Sequence, residues 1–147
     1  MKETFKLSGR VHVVHKDSTG AVISDFEQPN LIVTTGITQI SQLIADNVAV
    51  TAPTHMAVGT NAGAPSAGET TLVTEVGRVA LTSTTAGAST IVYVATFLPG
   101  VGTGNLNEGG LFNAGAAGTM TCRTLFAATV PKAAGDTVEI TWTITVG

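Results

Sequence analysis

Val138-Glu139-Ile140-Thr141-Trp142-Thr143-Ile144-Thr145-Val146, near the end of a 147-residue chain, alternates without a break. Valine, isoleucine and tryptophan take every second position, with glutamate or threonine between them. Successive strand residues point to opposite faces, so this stretch is a strand with one greasy and one hydroxylated face, as in a layer of a sandwich. Residues 89–98 repeat the pattern: Ile91, Tyr93, Ala95 and Phe97 alternate with Val92, Val94, Thr96 and Leu98. Both of its faces are apolar, which places it centrally in a sheet or under cover on both sides. Residues 119–130 read as another strand, with Met120, Cys122, Thr124 and Phe126 on one side.

Near the start of the chain, Phe5, Leu7, Val11 and Val13 face one way, and Lys6, Arg10, His12 and Val14 the other. Asp17-Ser18-Thr19-Gly20 supplies turn chemistry, and residues 21–27 return as the second arm of a hairpin. Gln28-Pro29-Asn30 interrupts the pairing, because proline has no N–H to give. Residues 37–46 predict one helix, with Ile37, Ile40, Leu43 and Ile44 on a shared face turned inward onto the sheet. Thr35 is its expected N-cap and Asn47 its expected left-handed stop. Short strands are expected at 55–59, 79–82 and around Leu111-Phe112, and residues 70–76 fit a helical turn or a strand. Residues 61–68, 84–88, 99–104, 114–118 and 131–136 read as loops or turns. About eight strands at short spacing predict a mainly β fold: an antiparallel, jelly-roll-like β-sandwich carrying one short α-helix. It is read as a single domain over residues 1–147, with residues 1–7 as an arm or edge strand.

Composition narrows the functional classes. Hydrophobic residues make up 44% of the chain, enough for a packed core, and valine and threonine favour strands. Charged residues are only 12%, against roughly 25% in an ordinary soluble domain. So little charge implies an exterior that largely faces other protein. The net charge is −3 with seven dispersed basic residues, so no cluster exists to displace counterions from nucleic acid. The first residues, Met1-Lys2-Glu3-Thr4-Phe5-Lys6, lack the apolar run of a signal peptide, and no stretch reaches the ~20 apolar residues of a membrane helix. The expected place of synthesis is a cytoplasm, with no membrane partner.

Each chemistry-bearing residue also admits a structural role. His12 and His15 lie three apart on a strand and so point to opposite faces, which prevents them chelating one ion. Activation of a thiol needs a nearby base or the positive end of a helix, whereas Cys122 sits in a strand pattern with Met120, Thr124 and Phe126 and reads as a core cysteine. The glycine-bearing stretches 59–68 and 100–104 lack the lysine and hydroxyl of a phosphate loop. No catalytic residue, metal or cofactor is expected. Glu75 and Arg78 are read as a salt bridge holding a loop end to the sheet, with Glu108 as an alternative partner for Arg78.

Several motifs together resemble a group of small virion structural proteins of tailed bacteriophages. They are Asn30-Leu31-Ile32-Val33 with Gly36 and the helix, Met56-Ala57-Val58-Gly59-Thr60, Pro65, Glu69-Thr70-Thr71-Leu72, and Glu75-x-x-Arg78. Leu106-Asn107-Glu108-Gly109-Gly110-Leu111-Phe112-Asn113 and Val138 to Ile144 complete the set. The resemblance spans nearly the whole chain. It implies a capsid decoration or cement protein on the outer surface of the virion, made in the host cytoplasm, whose partners are the major capsid protein and copies of itself. The alternative it leaves open is a tail, baseplate or fibre-attachment adaptor; a carbohydrate-binding sandwich ranks behind both. The expected contact residues are Lys2, Phe5, Asn61, Pro65, Arg78 and Val101, from the N-terminal arm and the loops 60–69 and 99–105.

Overall fold

The alternating stretches fold as strands that share one core. The computed structural model describes Thr4 and residues 6–147. Along the chain run β1 (Leu7–Lys16), β2 (Val22–Pro29), β3 (Leu31–Ile32), α1 (Thr34–Ile44), β4 (His55–Gly59) and β5 (Glu75–Ala80). Then follow β6 (Ser83–Ala86), β7 (Thr90–Phe97), β8 (Gly104–Phe112), β9 (Met120–Lys132) and β10 (Thr137–Val146). Two five-stranded sheets result, ordered β2-β1-β10-β7-β6 and β3-β9-β8-β4-β5, and every pairing is antiparallel. The ladders β1·β10, β3·β9, β4·β8 and β6·β7 nest one inside the next, as in a long hairpin rolled up. The fold is therefore the antiparallel, jelly-roll-like sandwich that the strand pattern predicts, with one short helix.

The core lies between the sheets. Val11, Val13, Tyr93, Ala95, Phe97, Ile140 and Trp142 from the first sheet meet Met56, Val58, Leu106, Leu111, Cys122, Phe126 and Val130 from the second. Burial of each such large side chain stabilises the fold by roughly 1.5–3 kcal/mol. A smaller cluster of Val33, Ala57, Leu72, Phe112 and Met120 sits on the outer face of the second sheet, with α1 packed on β9 nearby. Met120 was expected beside Cys122. A register shift in the β8–β9 ladder between Leu111 and Phe112 instead sends Phe112 and Met120 into this second cluster, while Leu111 and Cys122 stay in the main one.

The helix departs most from expectation. It begins at Thr34, and its N-cap is Val33, without a side-chain bond. The Thr34 amide instead donates to the Ala67 carbonyl at 2.8 Å, and the Thr35 hydroxyl donates to Met120 O at 2.8 Å. The helix ends at Ile44, and Asp46 rather than Asn47 takes the left-handed conformation, at φ 55°. The amides of Asp46 and Asn47 return to the Leu43 and Gln42 carbonyls, satisfying groups a helix end leaves free. The predicted apolar face is not turned squarely inward: Ile40 and Leu43 are half-buried, while Ile37 and Ile44 point away from the sheet. Gly36 and Gln39 face the sheet, because α1 lies so close to β9 that a side chain at position 36 would collide with the Thr121 carbonyl. Gln39 is held there by the Thr121 hydroxyl and the Thr51 carbonyl. Ile37 and Ile44 are left 53% and 72% exposed.

Three strands differ from expectation: β5, expected over 79–82, runs from Glu75 to Ala80. Residues 84–88 read as a turn, yet β6 occupies most of them as an edge strand whose four residues are all exposed, so no alternation marks it. Around Leu111-Phe112 a short strand was expected, whereas β8 runs nine residues from Gly104. Pro29 closes β2, and there the chain crosses from the first sheet to the second. Among the described residues no helix is long and apolar enough to cross a membrane.

Candidate functional site

Arg123 is the largest charged side chain in the interior, and it organises the outer face of the second sheet. It sits on β9 diagonally across from Glu108 on β8, and both are fully buried. Nε and Nη2 of Arg123 donate to Glu108 Oε2 at 3.1 and 2.8 Å, Nη1 to Glu69 Oε2 at 3.0 Å, and Nη2 to the Gly63 carbonyl at 3.2 Å. Glu108 also accepts the backbone amides of Val73 (3.2 Å) and Thr74 (2.8 Å). One ion pair thus pins both arms of the 60–74 segment to the sheet. Glu69 reinforces it by accepting the Ser66 amide at 2.9 Å.

Arg78 is committed in the same way. It forms a two-pronged bridge with Glu75 at 2.9 and 2.7 Å and donates to the carbonyls of Ala114 and Ala117. Its guanidinium stacks 3.8 Å above the Phe112 ring. The salt-bridge reading of Glu75 and Arg78 is the arrangement formed, while Glu108 faces Arg123 instead.

A third polar cluster closes the end of the sandwich near residues 98–103 and 133–136. His15 Nε2 lies 2.8 Å from Asp136 Oδ2, which also accepts the Ala133 amide at 2.9 Å. Lys132 Nζ donates to the Leu98 carbonyl at 3.1 Å, and the Gly100 amide to the Ala134 carbonyl at 2.8 Å. The hydrogen bond from His15, with that from Ala133, holds the Asp136 carboxyl below the ordinary carboxylate range. Desolvation pulls the Lys132 ammonium down. A depressed carboxyl stabilises the fold above its unfolded value, near pH 4, and that contribution is lost as pH falls through the folded value. Asp136→Asn is therefore expected to be less stable than the parent at pH 7 and to lose less on acidification. Urea midpoints from pH 7 to pH 3 check this; parallel decline of the two proteins would place the acid-sensitive group elsewhere.

The remaining candidates are packed or surface groups. Cys122 is fully buried, and desolvation pushes its thiol up to about 12. His15 faces the interior, whereas His12 lies on the outer face beside Asp25. His55 Nδ1 lies 2.8 Å from the Thr54 hydroxyl. Trp142 and Tyr93 are buried in the core, so neither offers a ring for stacking a sugar.

The expected contact residues fall in different places. Lys2 and Phe5 lie outside the described residues, as does most of the 1–7 arm. Asn61 turns its own loop, its Oδ1 accepting the Gly63 amide at 2.8 Å. Pro65 is half-buried beside a shallow groove with Pro29, Leu31, Thr124 and Leu125. Val101 packs against the core. The structure does bring the two loops together at their bases: a Cβ at Gly104 would lie 3.6 Å from Thr60 Cγ2, and Asn107 Nδ2, just beyond, donates to Thr60 O at 3.0 Å. Gly102 has φ 61°, and a Cβ there would sit 2.8 Å from Val58 Cγ2, so this loop requires glycine for both reasons.

Sequence reasoning did not foresee the Arg123–Glu108–Glu69 network. Its signal was a charged residue inside each of two otherwise uncharged strand cores, which requires a partner once the strands pair. No protein-family model matches the chain, and no curated protein matches it either.

Proposed function

We propose that this chain is a virion structural protein of a tailed bacteriophage, one that decorates the assembled capsid and cements it through protein–protein contacts. The resemblance of its motifs supports the reading, and the observation that carries it is where the charge lies. Glu108, Arg123, Lys132 and Asp136 are buried, and the Arg78 side chain is nearly so. The exterior is thus still more neutral than a 12% charged composition implies. The outer face of the first sheet is uncovered. Its β10–β7–β6 half presents Thr141, Thr143, Thr145, Val92, Val94, Thr96, Ser83 and Thr85, with Glu139 as its charge.

A flat, hydroxyl-rich face can lie against a shell without stripping water from ions, the costly step in burying charge. An interface near the common ~1,600 Å² size holds one copy, and repetition over a lattice multiplies the effect without new chemistry. The loops 60–69 and 99–105 supply further neutral contacts with the major capsid protein.

The test is to mix purified protein with isolated shells, measure co-sedimentation, and image the particles. Density in hundreds of copies over the shell, weakened by Thr143→Arg on the open face, is the expected result. A few copies at the tail or baseplate would favour the adaptor instead, and no binding to either would remove the virion reading.

A further inference from the structure

We infer that the cavity between α1 and the turn joining β8 to β9 binds a neutral sugar. Its volume, about 290 Å³, lies at the lower end of small-molecule sites. One wall is the helix face that carries Thr34, Thr38 and Gln42, spaced i, i+4, i+8. Asn113 and Thr119 form the other, and Ala49 and Val50 complete the lining.

Hydrogen bonds hold this frame in place. Gln39, buried at the floor, donates to the Thr51 carbonyl at 2.8 Å and accepts from the Thr121 hydroxyl. Asn113 accepts the Thr119 amide at 2.7 Å and donates to the same Thr51 carbonyl at 3.4 Å. Three groups are left over: the Gln42 carboxamide and the hydroxyls of Thr34 and Thr119 bond to nothing among the described residues.

Each of these groups both donates and accepts, as every hydroxyl of a sugar does. No lining residue is ionisable, so an ion entering here would give up its hydration without meeting a counter-charge. An apolar ligand would strand the three polar groups. A peptide carries its donors and acceptors in rows along opposite sides, whereas the free groups come from two walls of one concavity. A sugar ring presents hydroxyls around its rim and C–H bonds on its face, for which Ala49 and Val50 supply methyl groups. With no aromatic ring in the lining, affinity in the millimolar range is expected.

The test is NMR of the nitrogen-15-labelled full chain, titrated separately with glucose, galactose, mannose and N-acetylglucosamine into the tens of millimolar. At least one sugar should give saturable shifts in the Gln42 side-chain amide and in the Thr34 and Thr119 backbone amides. Gln42→Ala and Thr119→Val should each weaken that sugar roughly 10-fold, the worth of one lost hydrogen bond. Neither side chain holds the frame, so unfolding midpoints should stay put. Absence of saturable shifts with all four sugars rules out the site. Equal shifts with glycerol, or binding of trialanine in place of any sugar, overturn it too. The cavity lies on the outer side of the second sheet, across the sandwich from the open threonine face. Gln42→Ala should therefore bind shells as the parent does, which keeps loss of sugar distinct from loss of capsid affinity.

Discussion

Arg123→Met is expected to lower folding stability by about 3–5 kcal/mol, the range for removing one partner of a buried ion pair. The substitution fills similar space, so a cavity is not the main cost. What remains is a fully buried Glu108 carboxylate facing three backbone amides, those of Asn61, Val73 and Thr74, with its counter-ion gone. Glu69 and the Gly63 carbonyl lose their anchor in the same step. The damage should therefore appear first in residues 60–74, where the Val73 and Thr74 amides should exchange faster than the core strands. Replacing both charges, as in Arg123→Met with Glu108→Met, should recover part of the loss, because the orphaned charge goes too. The exposed Arg10–Glu27 bridge is a built-in comparison: Arg10→Met should change stability by about 1 kcal/mol or less. Urea unfolding with hydrogen exchange measures all three variants. A loss below about 1 kcal/mol for Arg123→Met would mean that the segment is held by something other than this network.

The second large effect is expected at Gly36. Alanine is the better helix former by about 1 kcal/mol, so propensity alone predicts stabilisation. Packing decides otherwise. The added methyl would run into the Thr121 carbonyl, and a backbone oxygen on a paired strand cannot swing aside as a side-chain tip can. The helix must lift away, straining the Gln39 bonds to Thr121 and Thr51 and opening the cluster of Val33, Phe112 and Met120. Overpacking of this kind costs roughly 1–3 kcal/mol and occasionally more; the upper end is expected here, net of propensity. Thermal unfolding of Gly36→Ala measures it, and an unchanged or raised midpoint would show that α1 can ride up on β9 without loss.

The same two sites show what the sequence could and could not reveal. Strands β1, β7 and β10 were legible because a sheet with one face on the core writes that face into every second residue. β8 was only partly legible: Gly109 and Gly110 interrupt the alternation where the Phe126 and Phe112 rings and Leu72 crowd the backbone. β6 was invisible because an edge strand exposed on all sides has no buried face to encode. The helix was found and its orientation missed. Periodicity locates the apolar stripe, yet here the closest approach belongs to the smallest residue, and the isoleucines flank the contact instead of filling it. The Glu75–Arg78 bridge is local and so could be read from spacing. Arg123 meets Glu69 across 54 positions, a pairing that exists only after three separate segments have been laid side by side.

The unpaired flank of β6 carries one last implication. Ser83–Ala86 ends its sheet with a free row of amides and carbonyls and with no lysine or proline to deter a newcomer. Proteins crowded into arrays risk fibre growth from such a margin. Four residues are too few to template a cross-β spine, for which segments of about six are typical. The brevity of this strand, and not any ionic guard, is what limits growth from this margin.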